Sequence, residues 1–398
     1  MDLTIQPGKL SGTVTAIPSK SMAHRYLICA AFADNETSLI CPDTNRDIEA
    51  TAACLNALGA NILRTETGYN VKPVKEYPES AVLPCGESGS TLRFLLPIVG
   101  ALGAYTIFKM EGRLPQRPLS PLWEEMERMG CRLKWISEDE LCVEGKLRPG
   151  EYFIDGSVSS QFISGLLFAT SLMDGDSKIH ILGSLESSPY VAMTQNVMAL
   201  FGVDTQDFFI RGGQHYHSPG TITVEGDWSN GAFWVAAKAL GSDLEVLNLD
   251  PNSLQGDREA ARLLTELREN IVIDASDIPD LVPILAVVAG ANQGAVFTNI
   301  HRLRLKESDR VASTISMIEA LGGKATDMGG HMVVHGTGYL GGTVDSQNDH
   351  RIAMAAAIAA TVCTEPVTIL GTEAVSKSYP KFWDEYRKLG GHYEQHIR

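Results

Sequence analysis

The run Pro121-Leu122-Trp123-Glu124-Glu125-Met126-Glu127-Arg128-Met129-Gly130 decides how the rest of the chain is read. Its apolar residues recur at helical spacing. It closes on a hydrophobic residue followed by glycine, the residue that a left-handed helix C-cap requires. The same ending returns at Leu58-Gly59, Phe201-Gly202, Leu321-Gly322 and Leu389-Gly390, and a weaker stop lies between Leu267 and Asn270. These stops fall about 70 residues apart, with one shorter interval, so the chain reads as six similar supersecondary modules.

Between the stops lie short β-branched runs at 13–17, 106–110, 178–182, 220–224, 295–299 and 366–370. Helical patterns occupy 47–58, 88–102, 121–129, 159–171, 190–201, 230–240, 280–291, 309–321 and 349–362. Strands and helices in this repeating order give an α/β or α+β class. Six modules divide into two domains of three, with the turn Val224-Glu225-Gly226-Asp227 as the expected crossing point. No low-complexity linker intervenes, so we expect close-set domains on a hinge, cycling from open to closed.

The 398 residues exceed one ordinary core. A net charge of -15 argues against nucleic acid or an anionic membrane as a general partner. The 7 cysteines show no CxxC or zinc spacing, and no secretory signal pattern is present, so a cytoplasmic protein with reduced thiols is expected. No apolar run approaches the ~20 residues of a membrane span. HExxH, GxSxG and EF-hand patterns are missing, and neither metal nor cofactor is expected. Gly336-Thr337-Gly338-Tyr339-Leu340-Gly341 matches GxGxxG, but a dinucleotide fold needs a helix next. Residues 342–344 look like a strand, so the stretch reads as a hairpin turn.

Against the acidic background, cations sit inside short stretches of small and polar residues. Ser19-Lys20-Ser21 with Arg25 opens a helix, where free N–H groups meet anions. Gly86-Glu87-Ser88-Gly89-Ser90-Thr91-Leu92-Arg93 has the same design, although Glu87 is an awkward resident for an anion site. Ser159-Ser160-Gln161 offers neutral donors at another helix start. Asp280 stands before an almost wholly apolar helix, either as its cap or as a proton acceptor. Lys306 and Arg310 are spaced to face one ligand if their segment is helical, with Glu307 a second candidate acid/base. Arg351 at a helix start violates the usual charge preference, which hints at a site; His350 beside it is of the residue type whose ordinary pKa lies near neutrality, although a lone histidine is more often structural. Such segments suit one or two small polyanions gripped from many sides.

In this order the segments resemble the EPSP synthases, the 3-phosphoshikimate 1-carboxyvinyltransferases of the enolpyruvyl transferase family. The resemblance rests on Ser19-Lys20-Ser21 with Arg25, Arg117-Pro118, Ser159-Ser160-Gln161, Ser187 with Pro189-Tyr190, Val224-Glu225-Gly226-Asp227, Gln255-Gly256-Asp257, Pro279-Asp280, Lys306-Glu307 with Asp309-Arg310, and Asn348-Asp349-His350-Arg351. It implies two domains of three βαβαββ units each, an inside-out α/β barrel, with residues 1–17 joined to 227–398, residues 18–226 apart, and the active site in the cleft between. It implies transfer of the enolpyruvyl group of phosphoenolpyruvate to the 5-hydroxyl of 3-phosphoshikimate, with small anionic substrates as partners; a monomer is the expectation, although the sequence does not reveal oligomeric state.

The resemblance also distributes roles. Lys20, Ser21, Arg25, Ser159, Ser160, Gln161, Ser187, Asp280 and Lys306 look like 3-phosphoshikimate contacts. Lys20, Gly89, Arg117, Gln161, Arg310, Arg351 and Lys377 look like phosphoenolpyruvate contacts. Asp280 resembles the proton acceptor and Glu307 the second acid/base group, with Lys20 and His350 as helpers. Glu87, Ser90 and Arg302 depart from the family's usual residues, and Glu87 is expected to point away or to pair with a cation such as Arg93. Two rivals are the sister transferase acting on UDP-N-acetylglucosamine and an inactive anion-binding protein on the same scaffold. The first typically carries a cysteine before the matching Arg-Pro, and 109–116 contains none. The second has little use for Asp280 and Glu307.

Overall fold

A computed structural model describes residues 1–396. The chain divides into two compact units, Pro18–Val224 and a second made of Met1–Ile17 with the residues from Glu225 on. The first holds helices α1 (Lys20–Ala31), α2 (Arg46–Ala57), α3 (Gly89–Leu102), α4 (Leu122–Arg128), α5 (Ser160–Thr170) and α6 (Ser188–Leu200). The second holds α7 (Trp228–Ala239), α8 (Ala260–Glu266), α9 (Val282–Ala291), α10 (Arg310–Ala320), α11 (His350–Ala359) and α12 (Phe382–Lys388).

The odd-numbered helices are apolar on nearly every side and must be covered on every side. In α9 every residue from Val282 to Gly290 is buried, and in α11 every residue is. Even-numbered helices are amphipathic. In α2 only Ile48, Thr51, Ala52, Cys54 and Leu55 are buried. Sheets wrap the buried helices. Ser80–Gly86 pairs in parallel with Tyr105–Met110 across α3, and Glu151–Asp155 with Ser177–Leu182 across α5. Ile271–Asp274 pairs with Gly294–Thr298 across α9, and Gly342–Asp345 with Val367–Leu370 across α11. Parallel neighbours require a crossover, and the buried helix is that crossover.

The other two parallel pairs join distant segments. Thr221–Thr223 pairs with Thr37–Ile40, and Ser11–Thr15 with Asp243–Leu247. The strand Asp2–Ile5 lies between Val367–Leu370 and Tyr393–His396, antiparallel to both. The unit Pro18–Val224 is thus an insertion within the first module of the other.

The hydrophobic-Gly stops are the ends of even-numbered helices. Gly59, Gly130, Gly202, Gly322 and Gly390 follow α2, α4, α6, α10 and α12 with φ of 104°, 119°, 80°, 83° and 92°. The weak stop is weak for a physical reason: α8 ends at Glu266 with Leu267 as its cap, Arg268 stands where the others have glycine, and no left-handed residue closes it. The stretch 336–341 is not a hairpin. His331–His335 pairs with Gly294–Thr298 and Lys324–Asp327, whereas Gly342–Asp345 belongs to another sheet. The crossing is held by Tyr339, whose hydroxyl donates to the Val287 carbonyl at 3.0 Å. Alternation marks a strand but does not name its partner. No described helix is long and apolar enough to cross a membrane.

Candidate active site

In the unit Pro18–Val224 the candidate residues gather at the starts of α1, α3 and α5. Ser19, Ser88 and Ser159 cap these helices, accepting from the N–H groups of Met22, Thr91 and Gln161. Lys20 Nζ lies 2.8 Å from Asp47 Oδ2 on α2. Arg25 is buried at 2% exposure. Its guanidinium donates to Thr194 Oγ1 at 2.8 Å and to the Ser21 and Tyr190 carbonyls at 2.7 and 2.9 Å, and lies 5.0 Å from the Phe94 ring centre. These partners are neutral oxygens. Burial therefore lowers Arg25 to about 10, first among its causes. Arg25 is thus a buried cation held by neutral oxygens, an environment in which an added anion would be favourable.

Helices α3 and α5 run close because Gly165 faces the Arg93 carbonyl and Pro97, where a Cβ has no room. Arg93 donates to Gln161 Oε1 and to the Pro118 carbonyl, both at 2.9 Å, and Gln161 Nε2 donates to Ser90 Oγ at 2.9 Å. Arg93 thus orients Gln161. The Glu87 side chain packs over Gly112, whose φ is 56°. The Arg117 guanidinium rests on Gly89: a Cβ there would lie 2.5 Å from one terminal nitrogen and 3.0 Å from Cζ. Ser187 opens α6 in left-handed conformation (φ 54°, ψ 40°), a strained posture for a non-glycine residue. It is buried, as is Ser160.

In the other unit one guanidinium organises the site. Arg310, 1% exposed, opens α10. Its Nε donates to Asp349 Oδ2 at 2.9 Å, one terminal nitrogen donates to Asp280 Oδ1, and the other to Glu307 Oε2 at 2.8 Å. The segment before it is not one helix. A 3-10 turn covers His301–Leu305 and Lys306 is extended, yet Lys306 Nζ still comes within 3.6 Å of Asp280. Arg351 approaches the same carboxylate at 3.7 Å and donates to the Ser229 carbonyl at 2.6 Å. Asp280 does not cap α9, whose first turn has no side-chain cap. Its oxygens face three cations instead.

Asp349, wholly buried, caps α11 by accepting from the Arg351 N–H and also accepts from Ser308 Oγ. Left-handed Gln347 and Asn348 (φ 51° and 57°) turn the chain into this cap, and the Asn348 carbonyl accepts from Lys377 Nζ at 2.8 Å. His350 is buried, its Nδ1 3.9 Å from Asp349 Oδ1, and Arg302 is buried too. Sequence reading assigned no chemistry to Ser229 and Asp257. Ser229 Oγ donates to Asp257, which burial, and next the charge of Asp280, push up to about 7. Their signal was Asp257 within Gln255-Gly256-Asp257, a motif quoted without a role.

Burial lowers Lys306 to about 8, against the pull of Asp280. The ammonium is charged below that value and neutral above it. Anion affinity at this site is therefore expected to fall as pH rises through about 8. Between there and the ordinary 10.5 the unfolded chain holds a proton that the folded chain has released, so on this account stability rises. Titration calorimetry with inorganic phosphate from pH 7 to 9 checks the first expectation; Lys306→Met should flatten the profile.

These features define a class: an α/β protein of sheet-wrapped helical modules with serine, lysine and arginine side chains clustered at helix starts. Solved structures share the fold. EPSP synthase from Acinetobacter baumannii matches with a TM-score of 0.80 at 22% identity, covering 99% of this chain and 100% of that one. The enolpyruvyl transferase NikO from Streptomyces tendae matches at 0.75 and 18% identity, covering 99% and 98%. The profile of the EPSP synthase (3-phosphoshikimate 1-carboxyvinyltransferase) family matches residues 5–386. Relatives named 3-phosphoshikimate 1-carboxyvinyltransferase are 39% identical in Clostridium kluyveri, over 99% of this chain and 98% of the relative, and 40% identical in Clostridium perfringens, over 97% and 98%. The chain belongs to the EPSP synthase family.

Proposed function

We infer that this protein transfers the enolpyruvyl group of phosphoenolpyruvate to the 5-hydroxyl of 3-phosphoshikimate, releasing phosphate, as an enzyme of the shikimate pathway. The observation that carries the chemical assignment is Arg310 bridging Asp280 and Glu307. Two carboxylates held by one guanidinium amid Lys306 and Arg351 supply proton acceptors inside a field that still attracts anions.

Asp280 accepts the proton of the attacking hydroxyl as its oxygen bonds to C2 of phosphoenolpyruvate and C3 is protonated. Phosphate then leaves the tetrahedral intermediate as C3 gives up a proton. Glu307 is the second group in these transfers, with Lys20 and His350 assisting. Lys306, Ser21, Arg25, Ser159, Ser160, Gln161 and Ser187 hold 3-phosphoshikimate. Gly89, Arg117, Arg351, Lys377 and Arg310 hold phosphoenolpyruvate, and Lys20 and Gln161 serve both. The enzyme acts in the cytoplasm, as a monomer.

Phosphate release with phosphoenolpyruvate and either 3-phosphoshikimate or UDP-N-acetylglucosamine tests this. Release only with 3-phosphoshikimate is the expected result; release only with the nucleotide sugar, or with neither, overturns it. Gly89→Ala sharpens the test of the residue roles. The added methyl must push the Arg117 guanidinium aside, a flexible end that moves at little cost. The KM for phosphoenolpyruvate is expected to rise at least tenfold with the melting temperature nearly unchanged.

A further inference from the structure

A buried chain of hydroxyls joins α1, α2 and α3. His24 Nδ1 lies 2.7 Å from Thr51 Oγ1, Thr51 Oγ1 lies 2.7 Å from Thr91 Oγ1, and Thr91 Oγ1 donates to Ser88 Oγ at 2.7 Å. All four residues are at most 1% exposed. Thr91 Oγ1 has two acceptors in reach, Ser88 Oγ at 2.7 Å and the Asp47 carbonyl at 3.5 Å, and the shorter contact takes its hydrogen; the other directions follow, since a hydroxyl has one hydrogen. Thr91 gives its hydrogen to Ser88, so Thr51 gives its own to Thr91, and His24 Nδ1–H gives to Thr51. His24 is then the Nδ1–H tautomer, and its Nε2 is a bare lone pair, buried without a partner.

At the far end Ser88 Oγ accepts twice, from the Thr91 hydroxyl and, at 3.3 Å, from the Thr91 N–H. Among the described residues its own hydrogen has no acceptor. Ser88 is the residue before Gly89, against which the Arg117 guanidinium rests. A cation cannot accept a hydrogen bond, but an anion bound beside it can.

We propose that His24 is a positioning residue: its tautomer polarises the Thr51–Thr91–Ser88 chain so that the Ser88 hydroxyl hydrogen is kept for the anion held by Arg117. This rests on the proposed function only for the anion's identity, phosphoenolpyruvate. The chain has a second state. On this proposal, loss of the Thr51 hydrogen frees Thr91 to turn to the Asp47 carbonyl, 3.5 Å away, and Ser88 to give its hydrogen inward to Thr91.

Two experiments test this. In protein carrying nitrogen-labelled histidine, the resonance lost in His24→Asn identifies the ring, and its nitrogen shifts report the tautomer. Protonated Nδ1 is expected; protonated Nε2 overturns the proposal and needs no activity. In kinetics, Thr51→Val is expected to raise the KM for phosphoenolpyruvate about tenfold, the loss of one bond to a charged group, with kcat and the KM for 3-phosphoshikimate within twofold. Thr51→Ser should restore the parent value. Equal effects on both substrates, or no rescue by serine, sinks the idea. Should Thr51→Val not fold, or the parent not turn over these substrates, the tautomer decides alone.

Discussion

Replacing Arg310 with alanine is expected to lower stability by about 3–5 kcal/mol, the usual result of removing one partner from a buried ionic cluster. The guanidinium is 1% exposed and holds Asp280, Glu307 and Asp349 on three separate segments. Its loss leaves three carboxylates facing one another with Lys306 and Arg351 as the nearest cations, the latter at 3.7 Å. Turnover should disappear with it. The specific signature lies in Asp349→Asn. In the parent this change removes one acceptor from Arg310 and should destabilise. In the Arg310→Ala background it removes an uncompensated buried charge and should stabilise. Urea midpoints of the four proteins measure both signs. Destabilisation by Asp349→Asn in both backgrounds would show that Asp349 acts chiefly as the cap of α11.

Asp280→Asn is expected to reduce kcat by 10²–10⁴, the usual contribution of a positioned proton acceptor. The amide keeps the shape and can still accept from Arg310, so folding should survive. Binding should move the other way. Asp280 is the carboxylate shared by Arg310, Lys306 and Arg351. Neutralising it raises the positive field, and 3-phosphoshikimate should bind as tightly as in the parent or more so. Calorimetry beside single-turnover kinetics separates the two. A parallel loss of binding and turnover would assign Asp280 to holding substrate rather than to moving its proton.

The modules were legible because helix ends are written locally: a hydrophobic residue and a left-handed glycine close α2, α4, α6, α10 and α12, and only α8, lacking the glycine, left a faint mark. Strand partners were not legible. The stretch 336–341 joins two sheets although its flanks alternate like a hairpin, because pairing is settled by what packs in three dimensions. Within the site, residue types at helix starts were readable, and so was the oddity of Arg351 at one of them. The hub around Arg310 was not, since positions 280, 307, 310 and 349 are brought together by two helices and two loops. Arg310 read as a ligand contact, and its three carboxylates are a finding of the fold. Ser229 and Asp257 escaped because a serine and an aspartate at helix starts are ordinary caps by themselves.

The pairing of Asp2–Ile5 with Val367–Leu370 and Tyr393–His396 sets an order on the ribosome. Residues 2–5 leave the exit tunnel early, but their neighbours are translated hundreds of residues later, and Ser11–Thr15 waits for Asp243–Leu247. Pro18–Val224 has all six of its helices and its strand partners as soon as Val224 emerges. At that point Asp2–Ile5 and Ser11–Thr15 are still without their strand partners. Ser11–Thr15 gains its partner once Asp243–Leu247 is made, while Asp2–Ile5 stays an open β edge until Val367–Leu370 and Tyr393–His396 follow.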